Sequence, residues 1–338
     1  MSARPPAAGA FTLVEMLVGM VVAIIFIGLM IGLTTQVGSV VRNANNKMDA
    51  FQSAQAGFDL MTQKLADATL NTYYDYDVPY GSTTAPSKYI RRSDLHFLVS
   101  QNAALAATFP EVNSNSGQSI FCQVPAAYSN TAAYANIQGT LNACGYFVQF
   151  GSDKSFWPSA KNGQGTEHYR YQLMQSIQPT ELNGIYGDFE GDHPEDVGTC
   201  QWIKTLPAGA LPIANNVIAL IVWPRLSLSE SATVISPNYE YNSRQGVPTP
   251  ANAAQSEQLP PILQISLVAI DANSAARLER GATKPGDIES ALAGKFARTD
   301  HYQQDMQDLQ AALVAKHIQY RVLTASITLR ESKWSSVQ

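Results

Sequence analysis

With 338 residues and 45% hydrophobic side chains, the chain can build one large domain or two small ones around a real core. Its net charge of −5 and charged fraction of 14% argue against general nucleic-acid binding, which needs a basic patch. The adjacent pair Arg91-Arg92 reads as a solvated loop, and the three cysteines, Cys122, Cys144 and Cys200, form no Cys-x-x-Cys, so neither a zinc ribbon nor a thioredoxin-like site is indicated.

Residues 1–10 read as a short leader, with Arg4 positive and Pro5-Pro6 incompatible with helix. The stretch Phe11-Thr12-Leu13-Val14-Glu15-Met16-Leu17-Val18 opens an apolar run. From Met16 to Leu33 there is no charged or strongly polar side chain, about 18 residues and so the minimum for a membrane-spanning helix. Glu15 stands at the head of that run, where a carboxylate is costly unless it meets a partner and marks a functional position. A cleaved signal peptide has its small-residue site after the apolar core. Here Ala7-Ala8-Gly9-Ala10 precede the core and no Ala-x-Ala follows Leu33. An ordinary signal anchor remains open, but has little use for Glu15.

The residues Phe11 to Val18 resemble the class III processing motif shared by type IV pilins and type II secretion pseudopilins. The resemblance implies that a prepilin peptidase cuts between Ala10 and Phe11 on the cytoplasmic face and N-methylates Phe11. It also implies that Glu15, fifth in the mature chain, pairs with the terminal amine of a neighbouring subunit in a helical filament, which would compensate the buried carboxylate. The family usually has glycine immediately before the cut; this chain has Ala10, with Gly9 one residue back. The implied location is the inner membrane, single-pass, with the C-terminal domain periplasmic, and then a pilus, a pseudopilus or the cell surface. The implied partners are the peptidase and other pilins or pseudopilins.

Beyond Leu33, Val37, Val41, Ala44, Met48, Phe51, Phe58, Met61 and Leu65 recur at three- and four-residue steps, one apolar stripe on an amphipathic helix. No proline interrupts the span from Phe11 to Val78. One helix of about 60 residues, roughly 90 Å long, is therefore expected. Residues 11–33 form its membrane or filament half and 34–71 the half that packs on a globular domain. A coiled coil is the alternative for the stripe, with few e/g charge pairs to support it. Gly19, Gly28, Gly32 and Gly38 permit close helix approach in a membrane.

The span from Thr72 to Ser93 reads as an irregular connection rich in tyrosine, with Asp75 and Asp77 among the rings as a surface or subunit contact. Strands are expected at 95–99, 145–150, 217–223, 263–269 and 318–329, from apolar runs and period-two alternation. Helices are expected at 169–177, 287–297 and 300–316. Residues 101–144 read as an insert without periodicity, and Ser227–Gln258 as a long surface excursion. The fold class is α+β: a long N-terminal helix whose second half packs on an antiparallel sheet, with 72–338 as one globular domain. Ile213 to Val217, and Tyr320 to Arg330, resemble the closing strands of large minor pilins of the PilW/pseudopilin J type. Leu259 to Asp271, running on to Leu278, is similar to the Verru_Chthon cassette protein C group.

Signatures of catalysis are missing from the sequence: it has no G-x-S-x-G, P-loop, H-E-x-x-H or EF-hand spacing, and His96, His168, His193, His301 and His317 are scattered. The loop bearing Asp188, Glu190, Asp192, Glu195 and Asp196 has oxygens suited to calcium, or is simply a solvated acidic loop; no other cofactor is implied. In an exported domain Cys122 and Cys144 are the candidate disulfide, against the alternative of buried free thiols. The expected function is a structural minor pilin-like subunit. A type II secretion pseudopilin is the near alternative, and a membrane-anchored exported enzyme or binding protein the distant one.

Overall fold

The first element, helix α1, runs from Leu13 to Ala66 without interruption. The computed structural model describes residues 13–78, 83–134, 136–157, 165–186, 200–227, 235–244 and 255–334. The chain divides into two units, Met1–Met48 and Asp49–Gln338, so α1 contributes to both. Its last turns belong to the second unit, where Ala54, Phe58, Met61 and Leu65 are buried. Phe58, Met61 and Leu65 are the end of the stripe read from the sequence, and with Ala54 they pack in one core with the strands. The helix stops at Ala66 rather than continuing to residue 71 because the next backbone groups are taken by other partners. Asp67 and Ala68 N–H close a tighter turn onto Lys64 and Leu65, and Thr69 N–H donates to Gln123 O at 2.9 Å. The chain leaving the helix is thereby stitched to the sheet.

In chain order the remaining elements are β1 (Tyr73–Tyr76), β2 (Tyr89–Arg92), β3 (Leu98–Gln101), α2 (Asn102–Leu105), β4 (Gln118–Val124), β5 (Asn142–Ser152), β6 (Tyr169–Ile177), α3 (Gln201–Lys204), β7 (Leu211–Asn215), β8 (Val217–Arg225), β9 (Tyr241–Asn242), β10 (Ile262–Ile270), α4 (Ala272–Leu278), α5 (Gly286–Leu292), α6 (Tyr302–Ala315) and β11 (Tyr320–Thr328). They form a six-stranded antiparallel sheet ordered β7-β6-β5-β4-β3-β9, a three-stranded sheet β11-β10-β8, and the ribbon β1-β2. The α+β class expected from the sequence is what the fold shows, and four of the expected strands fall on β5, β8, β10 and β11. Three readings are corrected. Residues 169–177 are strand β6, not helix. The aperiodic insert contains β4. The tyrosine-rich connection is partly ordered as β1 and β2, with Tyr76 and Tyr89 stacked at 5.0 Å.

The reason β4 and β6 escape a pattern reading is that both bury both faces. Every residue of β4 is buried, polar ones included. Its polar side chains meet partners: Gln118 Nε2 donates to Phe296 O at 3.0 Å, Ser119 Oγ to Asn102 Oδ1 at 2.6 Å, and Gln123 Oε1 accepts from Asn183 Nδ2 at 2.8 Å. In β6 the spacing of Tyr169, Leu173 and Ile177 imitates one helix face, while Gln172, Met174 and Ser176 are buried on the other face of the strand.

The two sheets meet where β8 passes the start of β4. Leu220 N–H donates to Ser116 O at 3.0 Å, and Val222 N–H to Gln118 Oε1 at 3.2 Å. Gly117 sits in that junction with φ of +86°, and a Cβ there would strike Leu220 O. Gly117→Ala should therefore cost about 2–4 kcal/mol of unfolding free energy. Gly281→Ala, also at positive φ (+60°) but with open space around its Cβ, should cost about 1 kcal/mol. Urea unfolding of both variants checks the difference; equal losses would mean that the junction is not close-packed.

Candidate functional site

The segment Leu13–Gly38 of α1 is 26 residues and contains an 18-residue window of mean hydropathy 2.8, none of which is buried. At 1.5 Å per residue it spans roughly 39 Å, more than the ~30 Å hydrocarbon core of a bilayer. It is one helix long and apolar enough to cross a membrane. Its large side chains stand exposed all round, from Leu13 at 80% and Ile24 at 68% to Leu33 at 63%. Covering each such side chain is worth about 1.5–3 kcal/mol, so a dozen of them outweigh the ~5–15 kcal/mol by which a whole domain is stable.

The segment's polar groups are handled internally. Thr34 Oγ1 donates to Met30 O and Thr35 Oγ1 to Gly32 O, each at 2.8 Å, so neither hydroxyl needs water. Gly19, Gly28 and Gly32 would each meet nothing within 4 Å if given a Cβ. The chain's own packing therefore gives no reason for these glycines, and Gly28 and Gly32 lie four apart on one helix face. Glu15 lies in the first helical turn, where the N-terminal end of the backbone dipole favours a carboxylate. Ala10 and Phe11 lie outside the described residues, as does the acidic loop with Asp188, Glu190, Asp192, Glu195 and Asp196. Among the described residues no group of three or more His, Cys, Asp and Glu is placed to hold a metal ion.

Cys122 and Cys144 are direct register partners on β4 and β5, and both thiols are free and fully buried. The pattern of backbone bonds identifies the kind of pair they make. Gln178 N–H bonds to Ala143 O toward β6, and Thr69 N–H to Gln123 O on the far side of β4. Alternation then makes Cys122 and Cys144 a hydrogen-bonded pair, the kind whose side chains stand further apart. A disulfide needs its Cβ atoms about 3.5–4.5 Å apart. The expected pairing thus brings the right two cysteines together in the register less suited to a bond. Burial pushes the Cys144 thiol up to about 12 and raises the Cys122 thiol well above its ordinary value, so both are protonated and unreactive.

The third cysteine belongs to an arrangement that sequence reading missed, since its members lie far apart in the chain. Cys200 Sγ is 3.8 Å from His96 Nδ1, and His96 Nε2 is 2.8 Å from Asn242 Oδ1. That is the connectivity of a Cys–His–Asn relay. Its environment opposes the chemistry. Cys200 and His96 are 0% exposed, Trp202 packs edge-on to the imidazole at 5.7 Å, and burial, with Arg244 nearby, holds His96 down to about 3. No imidazolium is available to stabilise a thiolate, and no substrate reaches the sulfur. The trio ties β9 and α3 to the chain entering β3.

Beside it, Glu257 lies in partly buried surroundings near Arg244 and Arg92. Desolvation outweighs their attraction and pushes its carboxyl up to about 8. Comparison with protein-family models, with curated proteins and with solved structures found no match to this chain.

These two groups give a pH profile with a definite sign. Unfolded, Glu257 ionises near 4.5; folded, near 8, so the native state holds the extra proton and stability falls as pH rises through that window. For His96 the unfolded chain takes the proton below 6.5, so stability falls as pH drops from 6.5 toward 3. Glu257→Gln should abolish the loss between about pH 6.5 and 8, about 2 kcal/mol, and extend the acid limb up to about pH 6.5, where the two groups otherwise offset each other. Urea midpoints across pH 4 to 9 read both limbs; an unchanged alkaline slope in the variant would remove Glu257 as its source.

Proposed function

We propose that this chain is a structural subunit of a type IV pilus or related filament. A prepilin peptidase trims it before Phe11 and N-methylates it, and its N-terminal helix holds it in the inner membrane until assembly. The observation that carries the reading is the helix Leu13–Gly38: wholly exposed, apolar on every face, with one carboxylate, Glu15, in its first turn. A helix of this kind needs either lipid or other such helices around it, and a filament core supplies the second after a membrane has supplied the first. Glu15 then offers the terminal amine of a neighbouring subunit a charge partner inside an apolar bundle. The unexplained glycines on the exposed face suit close helix packing in that bundle.

The size of the Asp49–Gln338 unit favours a minor subunit over the bulk one, since a tightly packed shaft has little room for it. A type II secretion pseudopilin uses the same helix chemistry and differs in where the filament ends. The enzyme alternative gains no accessible nucleophile from the buried Cys200–His96–Asn242 trio.

The deciding measurement is N-terminal mass spectrometry of the protein from membranes and from sheared surface fibres. The expected terminus is N-methylated Phe11; an intact Met1, or cleavage beyond Leu33, overturns the reading. Presence in the fibre fraction selects pilus over pseudopilus. Glu15→Gln should leave membrane insertion unchanged and lower recovery in fibres at least about tenfold, the scale expected when a buried charge loses its partner. Normal fibre recovery of that variant would rule out the assembly role of Glu15.

A further inference from the structure

The side-chain carboxamide of Asn113 is held between an amine and a carboxylate. The residue is 1% exposed, and its backbone is fixed, with N–H donating to Val148 O at 2.9 Å and O accepting from Ser116 N–H at 3.1 Å. Lys284 Nζ donates to Asn113 Oδ1 at 2.7 Å. Asn113 Nδ2 donates to Ser116 Oγ at 2.6 Å and to Glu289 Oε1 at 3.2 Å. These partners fix which way the amide points, since an ammonium only donates and a carboxylate only accepts.

The three side chains arrive from separate places. Asn113 lies in the loop before β4, Lys284 just ahead of α5, and Glu289 within α5. Lys284 stands at the end of the exposed stretch 281–284 and turns its amine in to the buried amide. Two further donors hold Glu289, Tyr171 Oη on Oε1 and Asn115 Nδ2 on Oε2, each at 2.6 Å. Burial, then the bond to Glu289, push the Tyr171 hydroxyl up, so it stays a donor.

With Oδ1 2.7 Å from Nζ, the carbonyl carbon Cγ lies within about 4 Å of that nitrogen. A nucleophile poised to react stands about 3–3.5 Å from its carbon, so a small displacement of the flexible lysine tip completes the approach. We infer that Lys284 and Asn113 join in an intramolecular amide cross-link, with Glu289 as the catalytic residue. The Nζ–Cγ bond forms and the Cγ–Nδ2 bond breaks. Of the two hydrogens on the neutral amine, one stays on the new amide nitrogen. Glu289 takes the other and delivers it to Nδ2, which leaves as ammonia. Glu289 ends as it began, nothing is oxidised or reduced, and no co-reactant is consumed. The product ties together positions 171 apart and restricts the unfolded chain as a disulfide over the same loop would. Both residues belong to the Asp49–Gln338 unit, so the cross-link is independent of the proposed filament role.

The test is a proteolytic map, read by mass spectrometry, of the full chain purified in detergent. The expected product is a branched peptide joining the Asn113 and Lys284 segments, lighter than the two together by the ammonia lost, about 17 Da. Lys284→Arg keeps the charge and the donor but should give no branched peptide. That variant should also melt about 10–20 °C lower, because the closure over 171 positions is gone. Glu289→Gln keeps an oxygen for Tyr171 but cannot carry a proton. It should cut the linked fraction at least about tenfold at equal times after synthesis. Glu289→Asp, which keeps a carboxyl one methylene further back, should fall between the two and serves where the glutamine variant does not fold. Separate, unlinked peptides from the folded natural chain overturn the inference, whether Asn113 is intact or has become Asp, and whatever the variants do. Linkage in Glu289→Gln equal to that of the natural chain overturns the role of Glu289.

Discussion

The helix Leu13–Gly38 exposes more apolar surface than the stability of an ordinary domain could offset in water, and on this point the two units of the chain differ. The large apolar side chains exposed along it represent a cost several times the stability of an ordinary domain. Beyond its first turn its backbone is satisfied within the helix, and its two threonine hydroxyls within the same turns. The segment is thus long and apolar enough to cross a membrane. The Asp49–Gln338 unit has the opposite character. It buries its own core, so the chain does not need the apolar segment in order to fold its domain.

Inside that unit, polar side chains do much of the specifying. Glu289 on α5 accepts from Tyr171 at 2.6 Å, Asn115 at 2.6 Å and Asn113 at 3.2 Å, and Lys284 caps Asn113 at 2.7 Å. Asn71 Oδ1 gathers Ser93 Oγ and the backbone N–H of Asp94 where the chain turns toward β3. Each contact is worth about 1 kcal/mol net, but a slipped register would leave several buried groups unpaired at greater cost. The low charge content seen in the sequence is consistent with this interior: amides and hydroxyls bond in pairs, whereas charges there would need burial of ions.

Legibility followed the physics of burial. The apolar helix and its stripe from Phe58 to Leu65 were readable because solvent or lipid lies on one side and core on the other. β10 and β11 were readable because apolar and polar residues alternate in both, Leu263, Ile265 and Leu267 with Gln264 and Ser266, and Leu323, Ala325 and Ile327 with Thr324 and Ser326. β4 was not, because Ser119, Gln118 and Gln123 look like surface residues until Asn102, Phe296 and Asn183 arrive from elsewhere. β6 was misread because a strand buried on both faces satisfies helical and extended patterns equally. The β1-β2 ribbon depends on pairing across a connection, and the Cys200–His96–Asn242 contact joins residues more than a hundred positions apart. No local window contains them.

The two-residue strand β9 sits at the end of the large sheet, yet it comes from far downstream of its neighbour: Val99 pairs with Tyr241 and Leu98 with Asn242. Strands β3 to β7, by contrast, pair with sequence neighbours and can zip up as they appear. Made from its N-terminal end, the chain then carries one edge of β3 unpaired until some 140 further residues have arrived, including all of β8. Loop closure of that length is slow relative to a hairpin. The interval between completing β7 and delivering Tyr241 is when this domain is most open to misassociation, and Phe97 and Val99, fully buried in the finished fold, are among the side chains left exposed until then.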